Sequence, residues 1–214
     1  MTVTVFGMQE SVYVRIVLLT LDFKGIPFEV MTVDPFSAAG LPAGYDAVHP
    51  FGRVPAIDHG GFVLYETAAI TRYLDEAFDG PKLQLQAPRA RARMNQAVGV
   101  LDAYAYRCWV WDFHVAYRRA GGQAGWTAPA PAASLASRTL DALAAIMGDG
   151  PFLAGTPEPS LADLHAAPMM RYGINVPEFR RLVDDRPPIR AWWEWMAAVP
   201  SVRTLCRTEG WADQ

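Results

Sequence analysis

The sequence predicts two domains of different class, an α/β domain over residues 1–80 and an all-helical domain over residues 88–214, joined by a linker at 81–87. Three observations predict this. Short β-branched and aromatic runs alternate with helical runs as far as Phe78, in the order strand, helix, strand, strand, strand, helix. Asp79-Gly80-Pro81 then breaks the last of those helices, and Lys82 to Pro88 is polar and proline-bearing, without periodicity. Beyond it the β signal disappears and apolar residues recur only at helical spacing.

The first strand is read from Thr2 to Phe6, where β-branched and aromatic residues run up to Gly7. Ser11 opens a helix whose apolar residues recur from Val12 to Phe23, and Gly25 stands where a left-handed C-terminal cap is expected. Phe28 to Val33 is a second strand. Strand, helix and strand within about thirty residues make a right-handed βαβ unit with parallel strands. Asp34 to Val48 is rich in Pro, Gly and Ala and reads as a loop with one helical turn near Leu41 to Ala47.

Val54 to Ile57 and Phe62 to Tyr65 are apolar runs separated by Asp58-His59-Gly60-Gly61, the composition of a tight antiparallel hairpin. Proline has no N–H for a sheet ladder, so Pro55 is expected on a boundary strand, with Val54–Pro55 a candidate cis bond and backbone left free for a ligand. Ile70, Tyr73, Leu74 and Phe78 then recur at helical spacing, with Thr67 as the expected N-cap. The sum is a thioredoxin-like βαβ-ββα domain with helices on both faces of a four-stranded sheet.

In the second domain, Arg89 to Arg119, Ala132 to Met147, Leu161 to Tyr172 and Ile189 to Val199 read as helices. Ser160-Leu161-Ala162-Asp163 is a capping box. Trp126, in the small-residue loop 121–131, is expected to pack back on the nearest helix, and Trp192, Trp193 and Trp195 to wedge between helices.

Composition narrows the function classes. With 19 basic and 22 acidic residues the net charge is −3, and no basic face for nucleic acid is indicated. No apolar stretch is long enough to span a bilayer and residues 1–6 lack signal-peptide features, so the protein reads as cytoplasmic, without a membrane partner. Cys108 and Cys206 belong to no C-x-x-C, and His49, His59, His114 and His165 are scattered without ligand spacing, so no metal is expected.

The chemistry gathers at residues 49–67. The first turn of the helix after Tyr65 offers orphan amides and a positive dipole end to a carboxylate, and Glu66 can accept from an ammonium. A carboxylate and an ammonium on one carbon describe the α-end of an amino acid, from which an extended peptide can continue along the edge at Val54. Val54-Pro55-Ala56-Ile57, followed by Leu64-Tyr65-Glu66-Thr67-Ala68-Ala69-Ile70, resembles the glutathione-binding core of the glutathione S-transferases, which usually carry Glu-Ser or Gln-Ser where this chain has Glu66-Thr67. Phe152-Leu153-Ala154-Gly155 with Ser160 to Leu164 resembles the capping segment of that family's helical domain, so the resemblance spans both domains.

Further, Gly7-x-x-x-Ser11-x-x-x-Arg15 is similar to the active-site turn of the serine-type phi and theta classes. The resemblance implies an enzyme with glutathione as co-substrate and no metal, in which the Ser11 hydroxyl donates to the sulfur; the bland reading of Ser11 is a helix cap. Lowering a thiol pKa of ~8.5 by about two units needs about 2.7 kcal/mol, within reach of one charge-assisted hydrogen bond and a helix N-terminus. Tyr13 is the alternative donor, and Arg15 either adds positive potential or forms a salt bridge. Val54 would pair with the cysteinyl backbone beside Pro55. Arg53, where the family commonly has Gln or Lys, would take the glycyl carboxylate, and Glu66 and Thr67 the γ-glutamyl end. The loop from Phe36 to Gly44 lacks the basic residues many serine-type members carry there, leaving His49 and Arg53 as the nearby substitutes.

The electrophile is expected against the long helix from Arg89. Tyr106, Trp109, Phe113 and Tyr117 mark one helical stripe, Arg107, Trp111, His114 and Arg118 another, and one of them must be core. The second mixes rings with cations, so Trp111, His114 and Arg118, with Val12, are the expected pocket wall for a small aromatic or carboxylate-bearing electrophile. The family also implies a homodimer, with Phe51 and Phe62 as apolar contact candidates. Detoxification, degradation of aromatics and biosynthetic sulfur transfer all fit, and the rival reading is a non-catalytic binding or scaffold protein that keeps the fold.

Overall fold

A computed structural model describes residues 2–207, and the chain divides into two compact units, Met1–Lys82 and Leu83–Gln214. The first unit contains β1 (Val3–Phe6), α1 (Val12–Lys24), β2 (Phe28–Met31), a single 3-10 turn (Tyr45–Ala47), β3 (Ala56–His59), β4 (Phe62–Tyr65) and α2 (Thr67–Ala77). The sheet order is β2-β1-β3-β4. β1 is parallel to β2, with Val5 opposite Val30, and antiparallel to β3, with Val5 opposite Ile57. This is the expected thioredoxin-like βαβ-ββα arrangement.

Two expectations are corrected. β3 is an interior strand, paired with β1 on one side and β4 on the other. Pro55 stands just before its first residue, where a missing N–H costs no ladder bond, and the Val54–Pro55 bond is cis. The hairpin closes tightly at Gly60 and Gly61, whose φ values of 63° and 91° suit a two-residue loop between the paired His59 and Phe62. The second correction concerns the faces of the sheet. α1 and α2 pack on each other. What meets the face of β1 opposite Val3 and Val5 is the short 3-10 turn, whose Tyr45 ring lies 6.3 Å from that of Phe6.

The core of this unit is Val3, Val5, Ile16, Leu19, Ile57, Ile70 and Leu74, all at 0% exposure. Gly25 takes the left-handed conformation (φ 67°) that ends α1. One residue earlier, Lys24 Nζ donates to Asp75 Oδ1 of α2 at 3.1 Å and to the Pro81 carbonyl at 3.0 Å, with both charged side chains buried. The ammonium thus also sits at the negative end of α1.

In the second unit, α3 (Pro88–Val100) runs without a break into a π-helical segment (Leu101–Val115) and α4 (Ala116–Arg119). α5 (Ala130–Met147), α6 (Leu161–Gly173), α7 (Pro177–Asp184), α8 (Pro187–Ala198) and α9 (Pro200–Leu205) follow, and no strand occurs among the described residues of this unit. α7 and α9 escape sequence reading because eight and six residues are too few to display a period. Among the described residues no helix is long and apolar enough to cross a membrane.

The capping box at α6 is present and extended. Asp163 accepts from the Ser160 amide and hydroxyl (both 2.8 Å), the Leu153 amide (2.9 Å) and the Trp192 indole (2.8 Å). Burial raises its pKa, opposed by these donors. Trp192 and Trp193 are buried, while Trp195 is 46% exposed and edge-on to Phe152. Trp126 packs back on Phe113 and Tyr117 as expected.

Asp75→Ala leaves the Lys24 ammonium buried opposite no carboxylate and is expected to cost about 3–5 kcal/mol in urea unfolding. The double variant Lys24→Met/Asp75→Leu is expected to recover most of that loss, since an apolar pair of similar volume removes the buried charge altogether.

Candidate active site

The turn between β1 and α1 is built around Gly7. A Cβ on Gly7 would run into the Cγ2 methyl of Val14 in α1 and would sit 3.3 Å from Val54 Cβ, so a hydrogen here lets Val54 close against the turn. Ser11 caps α1 with φ −68° and ψ 126°, and its Oγ accepts from the Val14 amide at 3.4 Å, longer than an ordinary N–H···O bond. Among the described residues the Ser11 hydroxyl hydrogen has no acceptor, so the oxygen caps the helix while its O–H stays available. Arg15 is buried and its Nε donates to the Gln9 carbonyl at 2.6 Å, bracing the turn. Tyr13 is half-buried in the first turn of α1.

The second side of the site is the segment from Tyr45 to Pro55. Tyr45 is buried, its hydroxyl donates to the Arg53 carbonyl at 2.8 Å, and burial pushes its pKa up to about 12. The His49 amide donates to the Tyr45 carbonyl at 2.9 Å, and its Nδ1 accepts from the Phe51 amide at 3.3 Å. Burial lowers the His49 pKa, opposed by Glu66 and reinforced by Arg53. An accepting Nδ1 and a lowered pKa together describe a neutral imidazole at pH 7. Arg53 is exposed, Val54 half-buried and Pro55 buried. Sequence reading passes over Tyr45, whose only signal is an aromatic, along with Phe36, in a loop otherwise rich in Pro, Gly and Ala.

The third side is Glu66, the only non-glycine residue with positive φ among the described residues (φ 71°, ψ 110°). Such a conformation costs on the order of 1–3 kcal/mol and persists only where its surroundings enforce it. Here Glu66, not Thr67, is the N-cap: its carbonyl accepts from the Ala69 and Ile70 amides (2.9 Å each), and Thr67 is the first helical residue, buried. The reason is spatial, since β4 ends at Tyr65 and α2 begins at Thr67, leaving one residue to make the turn. No side chain caps α2, and the amides of Thr67 and Ala68 have no carbonyl partner within it. Val54 thus closes against the Gly7 turn that leads to Ser11, while Glu66 and Arg53 both act electrostatically on His49.

Val12 is buried at the start of α1. In the helical unit the expected wall of Trp111, His114 and Arg118 does not form one surface. Trp111 lines a groove of about 590 Å³ with Arg107, Asp112, Val115, Arg119 and Pro129. His114 is buried edge-on to Tyr172 of α6 at 4.8 Å, and Arg118 is exposed. A segment closed by i→i+5 bonds holds more residues per turn than an α-helix, so residues aligned by a 3.6 count drift apart. The Arg107–Asp112 ion pair, five residues apart at 3.0 Å, fits that winding. The core of the other stripe is Trp109 and Phe113, both against Phe179. Cys108 is buried with its thiol donating to the Ala132 carbonyl at 3.2 Å and its pKa pushed up to about 12, which makes it inert.

Comparison with known proteins places the chain in a family. Residues 5–82 match the family model of the glutathione S-transferase N-terminal domain. The chain is 30% identical over 209 residues to glutathione S-transferase F11 of Arabidopsis thaliana, covering 96% of this chain and 97% of that protein. It is 26% identical over 208 residues to glutathione S-transferase F7 of the same plant, covering 95% and 98%. The crystal structure of glutathione transferase F2 from Populus trichocarpa superposes with a TM-score of 0.80 at 26% identity, over 95% of this chain and 96% of that one. Apo glutathione S-transferase III does so with a TM-score of 0.78 at 29% identity, over 96% and 95%. By full-length relatives, by fold and by the matched first domain, this chain belongs to the glutathione S-transferase family.

Proposed function

We propose that the protein binds glutathione, ionises its thiol at Ser11 and transfers the thiolate to a small electrophile. The observation that carries this reading is the Ser11 hydroxyl, which accepts from the Val14 amide and keeps its own hydrogen for an external acceptor at the positive end of α1. The thiol proton leaves to solvent, Ser11 O–H donates to the sulfur anion, and the new S–C bond forms as the electrophile's leaving group or π-electron pair departs. Glutathione is held by the Val54 backbone beside Pro55, by Arg53 at the glycyl carboxylate, and by Glu66 and the Thr67 and Ala68 amides at the γ-glutamyl end. In the helical unit by itself, the groove lined by Trp111 and Arg119 offers a ring and a cation, chemistry that suits an aromatic or carboxylate-bearing ligand. The available hydroxyl of Ser11 disfavours a purely structural scaffold.

The same reading includes a homodimer. Phe51 is 70% and Phe62 48% exposed, large apolar rings that a symmetric interface would cover.

Ser11→Ala removes a charge-assisted bond worth about 1.5–3 kcal/mol, so the bound thiol's pKa should rise by about one to two units in ultraviolet thiolate titration. Turnover should fall at neutral pH and recover in part in alkali, where the unassisted thiol ionises, while glutathione affinity holds within about twofold. Stability also drops by about 1 kcal/mol from the lost cap, so an unchanged pH profile with only that drop would show that Ser11 merely caps α1. In sedimentation velocity at micromolar concentration the wild type should be a dimer and Phe51→Ser shifted toward monomer; a wild-type monomer refutes the dimer.

A further inference from the structure

We infer that the Tyr45 hydroxyl is a positioning group for glutathione, acting through the peptide unit that joins Arg53 to Val54. This rests on the proposed glutathione site. The Arg53 carbonyl and the Val54 N–H belong to one planar trans peptide, so they point in opposite directions and cannot be aimed independently. Tyr45 O–H donates to that carbonyl at 2.8 Å. Whatever holds the carbonyl therefore aims the Val54 N–H, the group that pairs with the cysteinyl backbone. The contact also polarises the peptide, because a carbonyl that accepts a bond makes its N–H a better donor.

Several features suit Tyr45 to this role. It is 4% exposed, with its ring against Phe6 of β1, so the hydroxyl is presented from a fixed support. Burial keeps it protonated throughout the working pH range, so the bond does not titrate away. The chain between Tyr45 and Arg53 is itself closed by the His49 amide on the Tyr45 carbonyl, the Gly52 amide on the His49 carbonyl and the Phe51 amide on His49 Nδ1. The hydroxyl thus ties the far end of a braced loop at the residue before Val54. With no basic side chain between Phe36 and Gly44 to hold glutathione's glycyl end, the backbone contact at Val54 carries a larger share of the affinity.

Tyr45→Phe deletes the hydroxyl and keeps the ring. Calorimetric titration with glutathione should show Kd raised about three- to tenfold, with the bound thiol's pKa unchanged because Ser11 is untouched. Ile16→Val, a conservative trim of the α1 core, supplies a variant of comparable stability loss whose Kd should stay at the wild-type value. In the wild type itself, the Val54 amide should exchange more slowly with solvent when glutathione is added, which tests the contact without any variant. Equal Kd in wild type and Tyr45→Phe, or equal weakening in Tyr45→Phe and Ile16→Val, would each overturn the inference while leaving the glutathione site standing; a Val54 amide indifferent to bound glutathione would overturn it together with the proposed Val54 contact. A wild type that does not bind glutathione would overturn both.

Discussion

The architecture of the site depends on a space one hydrogen wide. At Gly7 the end of β1, the first turn of α1 and the residue before Pro55 converge so closely that a methyl would strike Val14 and crowd Val54. That contact sets how near the Ser11 end of α1 comes to the Val54 backbone, and hence whether one ligand can touch a hydroxyl on one segment and a peptide edge on the other. The remaining supports extend this closure. Arg15 fixes the turn from inside through the Gln9 carbonyl, and Tyr45 fixes the opposing strand entry through the Arg53 carbonyl. Both are buried side chains that donate to backbone carbonyls, which braces the turn and the strand entry from within.

The third wall is held differently. Glu66 sits in a conformation that its own side chain disfavours, and the hairpin and α2 force it there. Strain of that size is tolerable in a unit whose two helices are pinned by a buried ion pair and whose strands and helices share a fully buried apolar core. The strained residue is also the cap of α2, so its side chain projects while its carbonyl is consumed and the first amides of the helix remain open. Local strain and open polar groups are one feature seen from two sides.

What could be read from sequence was what local chemistry writes. Gly25 ends α1, Ser11 and Ser160 cap their helices, Gly60-Gly61 makes a hairpin and Pro55 announces its bond, because each signal lies within four residues of its effect. Pairing at a distance leaves no such mark. That β3 is interior depends on β1, some fifty residues earlier in the chain, and Lys24 finds Asp75 across 51 residues. Thr67 was a reasonable cap by composition, but the single residue available between β4 and α2 decided for Glu66. The stripe of Trp111, His114 and Arg118 failed for another reason: it assumed α-helical winding, and residues 101–115 wind more loosely. Trp109 and Phe113 are core and Trp111 lines a groove, whereas His114 is buried and Arg118 exposed, so these last three do not share an azimuth.

The buried ammonium has a chemical consequence beyond stability. The chain has two lysines, and both reach Asp75: Lys24 through its carboxylate and Lys82 through its backbone carbonyl at 3.2 Å. All other cationic side chains that stay charged are guanidiniums, which are poor nucleophiles, and both thiols, Cys108 and Cys206, are fully buried. A protein proposed to work beside reactive carbon centres therefore exposes a single side-chain amine and no thiol of its own, and the sulfur it presents to them is borrowed from its substrate.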